Sequence, residues 1–236
     1  MDENDLSQEK KWLYEQRAKI AVNNFNKKNM NAQYVPDRQE ALAAVLEMIP
    51  PGVKVARGDS ISVDQTGIID ELEKRNQNVL IDPLLRTADG SYAFPDIAER
   101  NRIAREAFTA DIFLVGANAV TLDGKLVSTD AWGNRVSATI FGPEKVIVVA
   151  GANKIVKNVD EALERIRNYA APMNARRHAL KHGRDDFAGL PCVRSGICVD
   201  CNHEWRICRY TVIIEGSMLR DKGRINVVLV GEELGI

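Results

Sequence analysis

All four cysteines of the chain lie between Cys192 and Cys208, and the first 191 residues hold none. Scattered at random, so tight a cluster arises on the order of once in a thousand chains, so it needs a cause. The spacing is Cys192-x5-Cys198-x2-Cys201-x6-Cys208. A C-x2-C pair aims two sulfurs at one ion from a single turn. Four thiolates match an iron–sulfur cluster, with a four-thiolate zinc site as the alternative. The order fits neither a zinc ribbon, with its two C-x2-C pairs, nor the bacterial ferredoxin run. Gly189, Pro191, Gly196 and Asn202 make the segment loop-like, and Arg194, Arg206 and Arg209 offset thiolate charge. Asp200 and His203 are spare ligands. The bland alternatives are packed, reduced thiols or an adventitious disulfide, but core packing would not confine all four to one loop.

Two further stretches carry polar groups in places where ligands bind. Gly58-Asp59-Ser60-Ile61-Ser62 lies between a predicted strand and a predicted helix. Gly58 permits close backbone approach, and Ser60 and Ser62 supply hydroxyls. The stretch lacks the Gly-Lys-Ser/Thr ending of a P-loop, and no nicotinamide or flavin fingerprint is present. A plain turn with a serine cap would use the same residues. The second stretch runs from Gly116 to Gly124 and on to Gly133-Asn134-Arg135. It offers Asn118, Thr121, Asn134 and Arg135 as ligand-binding groups, with Asp123 and Asp130 as acid–base candidates. Arg135 falls in the first turn of a helix, where a cation gains nothing from the dipole, so it is expected to meet an anion, either Asp130 or a ligand. Turn roles for the Asp and Asn residues are the competing explanation. His178 and His182 stand i, i+4, but without an H-E-x-x-H pattern they read as a solvated helical face.

The elements that must position these groups alternate. The chain has 236 residues, a net charge of −1 and 45% hydrophobic residues. That balance argues against disorder and against an electrostatic nucleic-acid binder. No apolar run approaches the roughly 18 residues of a membrane span. The N-terminus is acidic and polar, unlike a signal peptide, so a cytoplasmic setting with reduced thiols is expected.

Residues 1–50 read as a helical arm of two helices, one with Tyr14, Ala18, Ala21 and Phe25 on a face, one capped by Asp37 with Glu40. Strands are expected at Val53–Ala56, Val79–Ile81, Ile112–Val115 and Val146–Ala150, with helices between them. A D-G turn is expected at Asp123-Gly124, and Asp160 is expected to cap a helix. The strands are apolar at nearly every position, the pattern of parallel strands covered on both faces. The fold class is α/β with a wound, mostly parallel sheet over 51–236, interrupted by the cysteine-rich loop at 190–209. Thr211–Ile214 and Ile225–Val230 are expected to pair as a hairpin or to extend the sheet.

The run from Thr109 through Ile112-Phe-Leu-Val-Gly-Ala-Asn118 to Thr121-Leu-Asp-Gly124 resembles the central motif of LUD-domain (lactate utilisation) proteins. Gly58-Asp-Ser60, Gly133-Asn-Arg135, Phe141-Gly-Pro-Glu-Lys145, Asn153-Lys-Ile155 and Ala171-Pro-Met-Asn174 fit the same family. The tail from Pro191-Cys192 to Cys208 resembles a single-domain subgroup with a C-terminal cysteine motif. The resemblance implies a fold similar to ribose-5-phosphate isomerase, glucosamine-6-phosphate deaminase and CoA transferases. It implies a bacterial, redox-linked accessory component in oxidation of L-lactate, a 2-hydroxy acid, to pyruvate. Its partners would be a small anionic metabolite and iron–sulfur proteins of that system. The alternatives are a stand-alone isomerase-like or CoA-transferase-like enzyme, and a non-catalytic regulatory module with structural zinc. The acidic position of the isomerase-like stretch is Asn118 here, and an amide is no general base.

Overall fold

The computed structural model describes residues 4–182 and 185–236. The strands in chain order are β1 (Asn31–Val35), β2 (Lys54–Arg57), β3 (Val79–Ile81), β4 (Ile112–Val115) and β5 (Ala119–Thr121). They continue with β6 (Leu126–Asp130), β7 (Lys145–Gly151), β8 (Ile155–Val156), β9 (Tyr210–Ile214) and β10 (Ile225–Val230). Six of them form one sheet in the order β1-β10-β7-β4-β2-β3, and every pairing in it is parallel. The other four form a second sheet, β8-β5-β6-β9, around the β5–β6 hairpin.

The parallel sheet follows from its sequence. Ile112, Leu114, Ile147, Val149, Val228 and Val230 face one apolar layer. Their chain neighbours Phe113, Val115, Val146, Val148, Val227 and Leu229 face the opposite one. With both faces covered, alternation disappears and the strand reads as a continuous apolar run. Each fully buried aliphatic side chain contributes about 1.5–3 kcal/mol.

The helices are α1 (Ser7–Lys27), α2 (Arg38–Glu47), α3 (Ile61–Gln65), α4 (Ile68–Arg75) and α5 (Ile97–Glu106). After them come α6 (Asn134–Ile140), α7 (Val159–Arg165), α8 (Ala171–His182), α9 (Asp185–Ala188) and α10 (Pro191–Ser195). Ala41, Val45, Val63, Ile68 and Leu72, from α2, α3 and α4, cover one sheet face; Ala18, Ala21 and Phe25 of α1 pack into the other. Asp37 caps α2 as expected, accepting from the amides of Gln39 and Glu40 at 2.9 Å.

Three local expectations differ. Residues 1–50 also contribute β1, which pairs with β10 at the sheet edge. An edge strand needs pairing on one side only, and Asn31–Val35 carries too few apolar residues to announce itself. The last strands do not pair as a hairpin: Ile225–Val230 extends the parallel sheet as the other expectation had it, but Thr211–Ile214 lies in the second sheet. All six residues of β10 are buried between β1 and β7, whereas the half-exposed β9 borders β6. Helix α7 is capped by Asn158, whose Oδ1 accepts from Glu161 N at 3.0 Å, with Asp160 inside the first turn.

A π-helical turn, Ile166–Ala170, joins α7 to α8, and the Ala171 amide donates to the Ile166 carbonyl. Pro172 follows directly. It has no N–H for the Asn168 carbonyl and its ring crowds that oxygen, so the ladder shifts register just before it.

Chain order reverses at β2. From there β3 lies on one side, and β4, β7 and β10 lie on the other. The crevice beyond the carboxyl ends of β2 and β4 is therefore the switch point where open α/β sheets bind ligands.

Candidate functional site

Gly58 and Gly116 are the first residues beyond β2 and β4, on either side of that crevice. A Cβ on Gly116 would lie 2.5 Å from Ser60 Oγ, and one on Gly58 would lie 3.0 Å from Arg135 Cγ. Glycine at both positions lets Ser60 and Arg135 close over the strand ends. Ser60 caps α3, accepting from Val63 N at 3.3 Å. Ser62 is fully buried. Its Oγ donates to the Leu234 carbonyl at 3.3 Å and accepts from Lys154 Nζ at 2.8 Å.

Asn118 sits at the centre. Its Oδ1 accepts from Thr129 N at 2.8 Å and from Arg135 Nη2 at 3.1 Å. Its carbonyl accepts from Arg165 Nη1 at 2.7 Å. The neighbouring Ala117 carbonyl accepts from Lys154 Nζ at 3.1 Å. Three cations thus converge on two adjacent residues. Their other partners are the Thr129 carbonyl for Arg135 and the Asn153 carbonyl for Arg165. None of the three makes an ion pair within 4.0 Å among the described residues. Lys154 is 5% exposed. Burial, then the charges of Arg165 and Arg135, push its ammonium down to about 7. Burial lowers Arg165 as well.

The remaining predicted residues divide. Asp130, at the end of β6, accepts from the amides of Ala131, Arg135 and Val136, so it fixes the start of α6 and the aim of Arg135. Asp123 lies at the opposite end of the β5–β6 hairpin, exposed and paired with Lys125 at 3.4 Å. Burial pushes its carboxyl up, but Thr121, Lys125 and Lys28 outweigh that and hold it low. Thr121 is buried in β5, where its Oγ1 accepts from Lys125 N at 2.9 Å and closes the hairpin turn. Asn134 opens α6 and is exposed. The crevice brings together Gly58, Ser60, Ser62, Asn118 and Arg135, and Asp130 supports them from behind.

Lys154 and Arg165 carried no role in the sequence reading. The signal for Lys154 was its place just beyond the end of the apolar strand β7. Asp59 and Arg177 were also missed. Their side chains meet at 3.1 Å and 3.2 Å and tie the first loop to α8. Burial alone would raise Asp59, but Arg177, with Lys181 and His178, holds it at about 2.

The four thiols are free and partly buried, and all of them line one cavity of about 20 Å³. Burial and the proximity of Cys201, Cys208 and Cys198 raise the Cys192 thiol. Arg206 Nε donates to Cys208 Sγ at 3.2 Å, and Arg206 also pairs with Asp200 at 2.8 Å. His203 Nδ1 accepts from Trp205 N at 3.2 Å. Both spare ligands are thus engaged within the loop. Four sulfur donors beside arginines suit a thiolate-held metal chemically. Among the described residues, no group of three or more His, Cys, Asp or Glu side chains is gathered in the arrangement of a formed metal site. His178 stacks on Phe187 with centroids 5.4 Å apart, and the His182 side chain lies outside the described residues.

No helix among the described residues is long and apolar enough to cross a membrane. No curated protein matches the sequence. A DUF162 family protein from Deinococcus radiodurans is similar in structure, with TM-score 0.49 and 12% identity over 93% of this chain and 97% of that one. Ribose 5-phosphate isomerase from Plasmodium falciparum aligns with TM-score 0.33 and 16% identity over 51% of this chain and 52% of its own. The corresponding values for eIF2B delta from Chaetomium thermophilum are 0.33 and 13%, over 64% and 54%. The LUD domain family matches residues 18–230, nearly the whole of the parallel sheet with its crevice and cysteine loop. The chain belongs to the LUD-domain family.

Proposed function

We propose that this LUD-domain protein is an accessory component of 2-hydroxy acid oxidation, lactate to pyruvate, that binds a small anionic metabolite and carries a four-cysteine metal site. The observation that carries the reading is the trio Arg135, Lys154 and Arg165, hydrogen-bonded only to neutral oxygens. Cations left unpaired so close together repel one another, and a carboxylate or phosphate would relieve that repulsion. The cavity beside Asn118 is small, about 20 Å³, too small for a dinucleotide, and the cations reach it through Asn118 and Thr129 rather than lining it themselves. Asn118 orients and cannot act as a base, so binding is favoured over isomerisation.

Cys192, Cys198, Cys201 and Cys208 would hold the metal. An iron–sulfur cluster there would supply one-electron transfer, and zinc would brace the loop. Arg206, already donating to Cys208 Sγ, would stabilise thiolate charge.

Two measurements test the reading. Protein purified without air is assayed for iron, sulfide and zinc. Thermal shift is recorded with L-lactate, pyruvate and sugar phosphates, on the native chain and on Arg135→Gln. Stabilisation by the carboxylates that Arg135→Gln abolishes supports the proposal. Stabilisation by sugar phosphates alone sinks the lactate assignment.

A further inference from the structure

The cysteine loop does not hang away from the crevice. A second cavity, lined by Asn118, Thr129, Asn174, Ile207 and Cys208 among others, lies beside the thiol cavity. Cys208 and Ala171 line both. The first two lining residues are the ones that hold Arg135 Nη2, and the Asn118 carbonyl holds Arg165. On the far wall, Asn174 Oδ1 accepts from Arg177 at 3.3 Å. Cys208 therefore lies between a polar cavity, which Arg135 and Arg165 reach only through Asn118 and Thr129, and a thiol-lined one. The π-helical turn shapes this junction, because Ile166 and Ala170 at its two ends also line the second cavity.

We propose that the two cavities form one composite site, in which a small oxyanion held near Asn118 and Arg135 rests against the sulfur of Cys208. The proposal builds on the anion-binding reading above and adds where the anion ends. Its consequence is that a bound carboxylate or phosphate contacts one thiol of the cluster and not the other three. Among the four cysteines, Cys192, Cys198 and Cys201 line the thiol cavity alone.

The test pairs two substitutions, Cys208→Met at the wall shared by both cavities and Val199→Met in the thiol cavity alone. Methionine is longer and adaptable, so it fills space with little strain. Affinity for pyruvate and for inorganic phosphate is measured by calorimetry on the full chain. The expected result is at least about a tenfold loss for Cys208→Met, with Val199→Met unchanged within about twofold. Equal losses, or none in either, overturn the composite site while anion binding stands. If the native chain binds neither probe, both proposals fall. Should either variant fail to fold, the native chain is treated with 3-bromopyruvate, an anion that alkylates thiols. That reaction forms a carbon–sulfur bond, expels bromide and releases the thiol proton to solvent. Labelling of Cys208 first, suppressed by pyruvate, supports the site, and even labelling of all four thiols overturns it.

Discussion

Lys154 Nζ lies 2.8 Å from Ser62 Oγ, a contact that spans 92 residues of chain. Through it, three strand ends are tied together. Lys154 follows β7, Ser62 follows β2, and the Ala117 carbonyl that Lys154 also reaches follows β4. Burying an ammonium on neutral oxygens is unfavourable, and proteins seldom do it without a carboxylate partner. The anion proposed above would supply the missing negative charge.

Anion affinity should therefore depend on the charge of Lys154. Its ammonium loses its proton near about 7. Pyruvate should bind more tightly as pH falls through that value and more weakly above it. Calorimetry from about pH 6 to about pH 9 reads the slope, and Lys154→Met should bind weakly with that slope gone. An identical slope in the variant would assign the titration elsewhere.

Stability runs the other way. The ordinary lysine value is 10.5, and the folded one is about 7. Between them the unfolded chain binds more protons, so Lys154 makes stability rise with pH across that window. Lys154→Met removes both the penalty and the slope. Denaturant midpoints at about pH 7 and about pH 10 should differ more in the native chain than in the variant, and a larger difference in the variant contradicts the argument.

The approach of Ser60 to Gly116 should show as coupling. Gly116→Ala sets a Cβ 2.5 Å from the Ser60 hydroxyl and should displace it from its cap on α3. The expected loss is about 1 kcal/mol. In a Ser60→Ala background, Gly116→Ala should cost clearly less. Additive losses in the double-mutant cycle would mean that the hydroxyl is not what the new methyl meets.

Asp59 binds Arg177 through two contacts, at 3.1 Å and 3.2 Å. Its folded value, about 2, lies below the ordinary 3.8, so its contribution is present above 3.8 and fades as pH falls through the folded value. Asp59→Asn should destabilise at neutral pH, and the gap to the native chain should close as pH falls toward about 2. Thermal melts across that window check it. A gap that stays constant would assign the loss to packing.

Cys201→Ser should abolish the metal content of protein purified without air and lower its melting temperature. The parallel sheet, whose core lies outside the loop, should keep its far-ultraviolet signature. Full metal retention in the variant would remove Cys201 from the ligand set.

How much of this was legible differs by the kind of physics involved. The parallel sheet is written in the strands, because β4, β7 and β10 must be apolar on both faces to be covered on both. The Asp37 cap and the Asp123-Gly124 turn were legible because they depend on neighbours a few residues away. So was the gathering of the cysteines, whose spacing holds four thiols in one loop whatever surrounds it. Strand β1 was hidden because an edge strand needs little apolar surface.

What the sequence by itself determined is therefore local chemistry and the layering of the sheet. The tertiary structure alone decided which loops meet. It separated Asp123 from Asp130 by the length of a hairpin and turned Asp130 toward the α6 amides. It brought Lys154 and Arg165, with no local motif to mark them, against Asn118, and it set Cys208 on the same wall. Such pairings join strand ends far apart in the chain. Their geometry depends on strand order and on the reversal at β2, which no short window of residues encodes.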